Sequence, residues 1–127
     1  MPKINIEQGT HEWLALRRHC VTATDIACLM GVGFDTPYQR WMKKVSEFEE
    51  PVNDDMQRGK DLEPIARSLA ERRFNTSFVP ETHVHPEKPW ALASLDGLSP
   101  SGELIEIKCP RFKGHSIALM GIIPEYY

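Results

Sequence analysis

The chain reads as an α/β (α+β) domain, a small mixed β-sheet flanked by helices. Hydrophobic residues recur at helical spacing through the first half, whereas the second half switches to short alternating or β-branched runs. A length of 127 residues at 41% hydrophobic and 26% charged is about one domain's worth of ordinary globular chain. Residues 1–127 are therefore expected to form a single domain.

Thr10 can cap a short helix carrying Trp13, Leu14, Leu16 and Arg17, because its hydroxyl can accept from an unpaired first-turn N–H. A second short helix is expected over Asp25–Met30, capped by Thr22 or Thr24 and stopped near Gly31. Thr36-Pro37-Tyr38-Gln39 places threonine at N-cap, proline at N1 and glutamine at N3. That is a capping box with the favoured first-turn proline, opening a helix with Tyr38, Trp41, Met42 and Val45. The polar, proline-broken stretch Glu49–Asp55 reads as a surface loop. Leu62, Ile65, Ala66, Leu69, Ala70 and Phe74 then follow helical spacing, with a kink or restart expected near Leu62 because Pro64 cannot donate to the Lys60 carbonyl. Thr82–His85, Ala91–Ser94 and Glu103–Cys109 read as strands, separated by Pro86, Pro89 and the Ser99–Gly102 turn. An amphipathic piece, Ser116–Met120, ends at Gly121, and Pro124 sits where another helix would start.

No apolar run approaches the roughly 20 residues that span a bilayer, and the N-terminus lacks a basic-then-apolar export signal. Three cysteines without CxxC spacing fit a reducing cytoplasm better than a disulfide framework. A net charge of −3 supplies no global field for nucleic acid, so any such binding needs a local basic patch.

Chemistry concentrates late in the chain. Period-2 alternation puts Glu106 and Lys108 on one strand face and Ile105 and Ile107 on the other. A hairpin-like connection after a turn at Asp96-Gly97 could bring Asp96 beside Glu106. Two carboxylates and a lysine would then converge. Such oxygen donors suit Mg²⁺, and Lys108 could orient or deprotonate a water or stabilise developing charge, which favours phosphodiester hydrolysis. Taken alone, such a pattern more often describes a solvated sheet face.

Four ordered blocks add to this: Trp13–Arg17 followed by Val21–Thr24; Arg58–Pro64; Ala93–Leu98; and Leu104–Pro110. Together they resemble the lambda-exonuclease-like (YqaJ-type) viral recombinases, whose blocks are W-x-x-x-R with I-T-A-S, G-x-x-x-E-P, S-P-D-G and E-x-K-C-P. The resemblance implies a restriction-endonuclease-like core of the PD-(D/E)xK superfamily. It implies a phage recombination exonuclease, 5′-to-3′ on double-stranded DNA ends. Asp96, Glu106 and the Ile107 carbonyl would hold Mg²⁺ (or Mn²⁺), Glu63 would contact a metal or its water, and Lys108 would be the catalytic lysine. Arg17 and Thr24 would receive the phosphate of the DNA end. A ring-like homotrimer, a single-strand annealing partner and a host-cell cytoplasmic setting are implied as well. Leu95 stands where the family has proline, and Thr24 where it has serine. Family members continue past Tyr127 into a helix and further strands, so this chain is expected to lack those elements.

Other readings accompany these. The chain could be a catalytically weak remnant that binds DNA ends. His83, His85, Cys109 and His115 could form a zinc or interaction module. Glu63 could simply favour a helix N-terminus, and Arg17 with Arg18 could be a solvated face. Arg111 and Lys113, with Lys108 and His115, form a candidate phosphate-tracking patch. Trp13, Trp41 and Trp90 read as core and interface aromatics.

Overall fold

The computed structural model describes residues 2–46 and 50–127. Among them the order is β1 (Lys3–Ile4), α1 (His11–His19), α2 (Ala23–Leu29), α3 (Pro37–Val45), α4 (Asp54–Phe74), β2 (Val79–Val84), β3 (Leu92–Leu98), β4 (Leu104–Ile105) and α5 (Phe112–Leu119). The strands form one antiparallel sheet in the order β1-β2-β3-β4. A parallel pairing, Val21 with Ala91, is an isolated bridge outside these strands. Packing divides the chain into two compact units. One comprises Met1–Glu49, Glu81–Ser94 and Pro124–Tyr127; the other comprises Glu50–Pro80 and Leu95–Ile123.

In the first unit the capping residues act as their chemistry requires. The Trp13 N–H donates to Thr10 Oγ1 at 3.3 Å. Around α3 the Thr36 N–H donates to Gln39 Oε1 at 2.9 Å and the Gln39 N–H to Thr36 Oγ1 at 3.2 Å, the two halves of the expected box. Thr22, not Thr24, is the N-cap of α2. Its N–H and hydroxyl both donate to Asp25 Oδ2, at 2.7 and 2.9 Å, so the helix begins two residues earlier than expected. Cys20, Cys28 and Leu92 are buried, with Thr82 and His83. β1 is too short for an alternation signal to reveal it. It pairs Lys3 with His83 and Ile4 with Thr82, and Lys3 Nζ reaches Glu81 Oε1 at 2.6 Å.

In the second unit α4 is one 21-residue helix with Pro64 inside it. No restart occurs at Leu62. A proline deletes one main-chain bond and crowds one carbonyl, at a cost of about 3 kcal/mol, while the helical bonds on either side persist. Asn53 caps its start by accepting from the Met56 N–H at 2.9 Å. Asp54 and Asp55, read as loop, are thus its first turn. Glu49 of that expected loop lies outside the described residues. Asn75 ends the helix in the left-handed region at φ 50°. The buried Phe78 follows, its ring edge-on to Phe74 with centroids 6.3 Å apart.

Asp96-Gly97 is not a turn. β3 continues through both residues to Leu98, and the reversal comes at Ser99–Gly102 as expected. There the Gly102 N–H donates to the Ser99 carbonyl, and the Ser99 N–H to the Glu103 carbonyl. Gly97 serves close approach rather than reversal: a Cβ there would lie 2.7 Å from Phe78 Cβ and 2.8 Å from Ile105 Cγ1. The paired part of β4 is only Leu104–Ile105, shorter than the expected Glu103–Cys109. α5 starts four residues before the expected Ser116. Beyond Gly121, at φ 72°, Pro124 begins a turn closed by the Tyr127 N–H to the Pro124 carbonyl at 3.2 Å.

Candidate functional site

The second unit assembles the carboxylates. Register pairs Gly97 with Ile105 and Leu98 with Leu104. Asp96 and Glu106 are therefore the next residues outward on the two arms of one hairpin. Asp96 is half-buried, and its Oδ2 accepts from the Ile107 N–H at 2.7 Å. That bond fastens the carboxylate to the Glu106–Lys108 segment past the end of the ladder. Burial still alternates there, with Ile105, Ile107 and Cys109 half-buried and Glu106 and Lys108 exposed. Lys108 Nζ pairs with Glu106 Oε1, so the two charged side chains share a face as the alternation requires.

Glu63 enters from α4. Its Oε1 pairs with Arg67 Nη2 one turn later, and Arg67 Nε donates to the Asp96 carbonyl at 2.8 Å. Sequence reading missed Arg67, although its i, i+4 spacing from Glu63 was a usable signal.

The donors are all oxygen, the chemistry a hard divalent cation prefers. Mg²⁺ requires only one or two protein carboxylates, because it keeps waters and takes phosphate oxygens. Asp96 and Glu106, adjacent across the hairpin register, offer two carboxylates of that kind. Among the described residues no group of three or more His, Cys, Asp or Glu side chains is gathered as a metal cage. The zinc alternative accordingly has no cluster behind it, and Glu63, Asp96 and Glu106 are not gathered as a three-carboxylate cage either. His83 Nε2 is instead paired with Glu81 Oε2 at 2.8 Å, and His85 Nδ1 accepts from the Glu87 and Lys88 N–H groups at 3.2 Å.

The first unit holds Arg17 and Thr24. The Arg17 guanidinium lies 4.4 Å over the Trp13 ring, and its Nη1 donates to Ser94 Oγ at 3.3 Å. Burial lowers its pKa, Asp25 opposes that shift and Arg40 adds to it, yet an arginine stays charged under all such conditions. Thr24 is exposed in the first turn of α2. Beside them Asp25 is only 3% exposed. It receives Arg40 Nε at 2.5 Å and Lys44 Nζ at 2.9 Å. Burial pushes its carboxyl up, but the bonds from Lys44, Arg40 and Thr22 outweigh this and leave it below the usual value. Three cations around one buried carboxylate leave an excess of positive charge, the condition for attracting an anion.

Residues 12–127 match the YqaJ-like viral recombinase domain. The chain belongs to this family. Two solved structures resemble this YqaJ-like chain. One is an alkaline exonuclease, LHK-Exo, from Laribacter hongkongensis, at 34% identity and TM-score 0.74. The other is LHK-Exo in complex with dAMP, at 33% identity and TM-score 0.71. Each match covers 92% of this chain and 63% of the exonuclease, so the YqaJ-like chain spans less than two thirds of that protein's length. No curated protein matches it.

The remaining candidates lie apart from the carboxylates in character. Arg111 is the N-cap residue of α5 and pairs with Asp55. That carboxylate raises the Arg111 pKa, and both side chains of the pair are exposed. Lys113 is exposed on α5. Of the tryptophans read as core or interface, Trp13 is half-buried, whereas Trp41 and Trp90 are about half exposed, at 55% and 51%. No helix among the described residues is long and apolar enough to cross a membrane.

Proposed function

We propose that this YqaJ-like chain is a Mg²⁺-dependent DNA exonuclease, acting 5′ to 3′ on double-stranded ends in the host-cell cytoplasm. The observation that carries the reading is the bond from the Ile107 N–H to Asp96 Oδ2. It holds one carboxylate of the family pattern against the segment that bears Glu106 and Lys108. Asp96, Glu106 and the Ile107 carbonyl would hold Mg²⁺ or Mn²⁺, with Glu63 contacting the metal or its water. The metal supplies polarisation of the scissile phosphate and a more acidic water. Lys108 orients that water or stabilises charge as it develops. Arg17 and Thr24 receive the terminal phosphate, with Lys113 as a further backbone contact. LHK-Exo with dAMP bound supports a deoxynucleoside monophosphate as the product released here. A ring-like homotrimer and a single-strand annealing partner belong to the same proposal.

Digestion of 5′-labelled linear duplex with Mg²⁺, by wild type and Asp96→Ala, tests this. Wild type should release mononucleotides, and the variant should be slower by about 10³-fold, the scale on which preorganised charge stabilisation is lost. Cleavage that persists unchanged in Asp96→Ala overturns the assignment. The alternative reading is a weakly active protein that binds DNA ends. Wild type that binds ends but leaves them uncut in both Mg²⁺ and Mn²⁺ would decide for it.

A further inference from the structure

We infer that Arg67 is the positioning residue that ties the helix-borne acid to the strand-borne one; this rests on the metal-site reading above. A surface Glu–Arg pair one turn apart is a common helix feature of small energetic weight. Arg67 departs from that pattern in two respects. Its side chain is only 15% exposed, and its fork is divided between two elements. Nη2 meets Glu63 on α4, while Nε donates to the Asp96 carbonyl on β3 at 2.8 Å. The Asp96 carboxylate in turn accepts from the Ile107 N–H. One planar cation thus closes a continuous path from Glu63 through the Asp96 main chain to the Glu106–Lys108 segment.

The geometry needs a guanidinium. A planar group with donors in fixed directions serves a carboxylate and a carbonyl at once, whereas an ammonium on a flexible stem satisfies the charge without fixing both. Glu63 and Asp96 reach the site from elements distant in sequence. Without the fork, nothing else described on Glu63 or on the Asp96 carbonyl joins the two. Arg67 acts through these residues and is not itself expected to touch the metal or the DNA.

Titration with Mn²⁺ alone, following the free-ion electron paramagnetic resonance signal, tests this apart from cleavage. The proteins are wild type, Arg67→Ala, Arg67→Lys and Asp96→Asn, with thermal melting recorded for each. Loss of an outer-shell partner typically weakens metal binding by about 10- to 100-fold. That range is expected for Arg67→Ala, and Arg67→Lys should recover little of it while melting close to wild type. Should Arg67→Ala fail to fold, Arg67→Lys decides. Wild-type Mn²⁺ affinity in Arg67→Lys overturns the inference while Asp96→Asn still loses Mn²⁺, which leaves the metal site standing. Wild-type affinity in Asp96→Asn overturns the metal site and this inference together.

Discussion

Arg17 is aimed by neighbours that differ in kind: the Trp13 face beneath it, the Ser94 hydroxyl on one N–H, and the field of Asp25. A guanidinium carries five donors, and the described bond to Ser94 occupies one. The expected consequence is recognition of a terminal phosphate by charge-assisted hydrogen bonds of about 2 kcal/mol. Arg17→Ala should therefore lose about 30-fold in the preference for 5′-phosphorylated over 5′-hydroxyl ends, measured by equilibrium binding with Ca²⁺ in place of Mg²⁺. Equal discrimination in the variant would place the phosphate elsewhere. Ser94 lies two residues before Asp96, inside the Ala93–Leu98 block that the sequence singled out, but its bond to Arg17 was not legible because the two are 77 residues apart.

Helix α2 depends on one carboxylate. Asp25 takes both donors of Thr22 and two of the three cations of α3, Arg40 and Lys44, so it joins two short elements that could not stand alone. Its folded pKa lies below the unfolded value of about 3.9. The stability it supplies is full above that value and is lost as pH falls through the folded one. Asp25→Asn should be less stable by about 3 kcal/mol at pH 7, as expected when a buried pair loses one partner. The gap should close as wild type is titrated below about pH 4, followed by urea unfolding. A gap independent of pH would mean that shape and not charge holds these helices. The same elements show what a sequence discloses. The caps at Thr10 and Thr36 were legible because capping is a local bargain between a side chain and its own first turn. The run of α4 through Pro64 was not, since the sequence shows the deleted bond and not the helix that tolerates it. Asp96-Gly97 was misplaced for a related reason: glycine next to aspartate signals a turn, and only the packed structure reveals the Phe78 Cβ and Ile105 side chain that exclude a Cβ.

At the scale of the whole chain, charge and function pull in different directions. A protein of net charge −3 that binds DNA must do so through few phosphate contacts. Taking Arg17, Lys113 and the surplus charge around Asp25 as about three contacts, log affinity against log salt should slope at about −3. End-binding measured between 50 and 200 mM salt checks this, and a slope steeper than about −6 would require a basic surface that these residues do not supply. Both carboxylate arms and the helix-borne acid fall within one compact unit, while Arg17, Thr24 and Ser94 fall within the other. The order of the motifs was readable in the sequence. Their allotment to units was not, because β3 changes unit between Ser94 and Leu95, in the middle of one motif.

Gly97 has a consequence for how this sequence can change over time. Its missing Cβ is matched to Phe78 and Ile105, so the three positions are not free to drift separately. A larger residue at 97 meets the Phe78 Cβ and the Ile105 side chain together, so it is admissible only after Ile105 has shrunk and the backbone at 78 has moved away, since every residue but glycine keeps a Cβ there. The order of substitution then matters as much as their identity, an epistatic triplet set beside the aspartate.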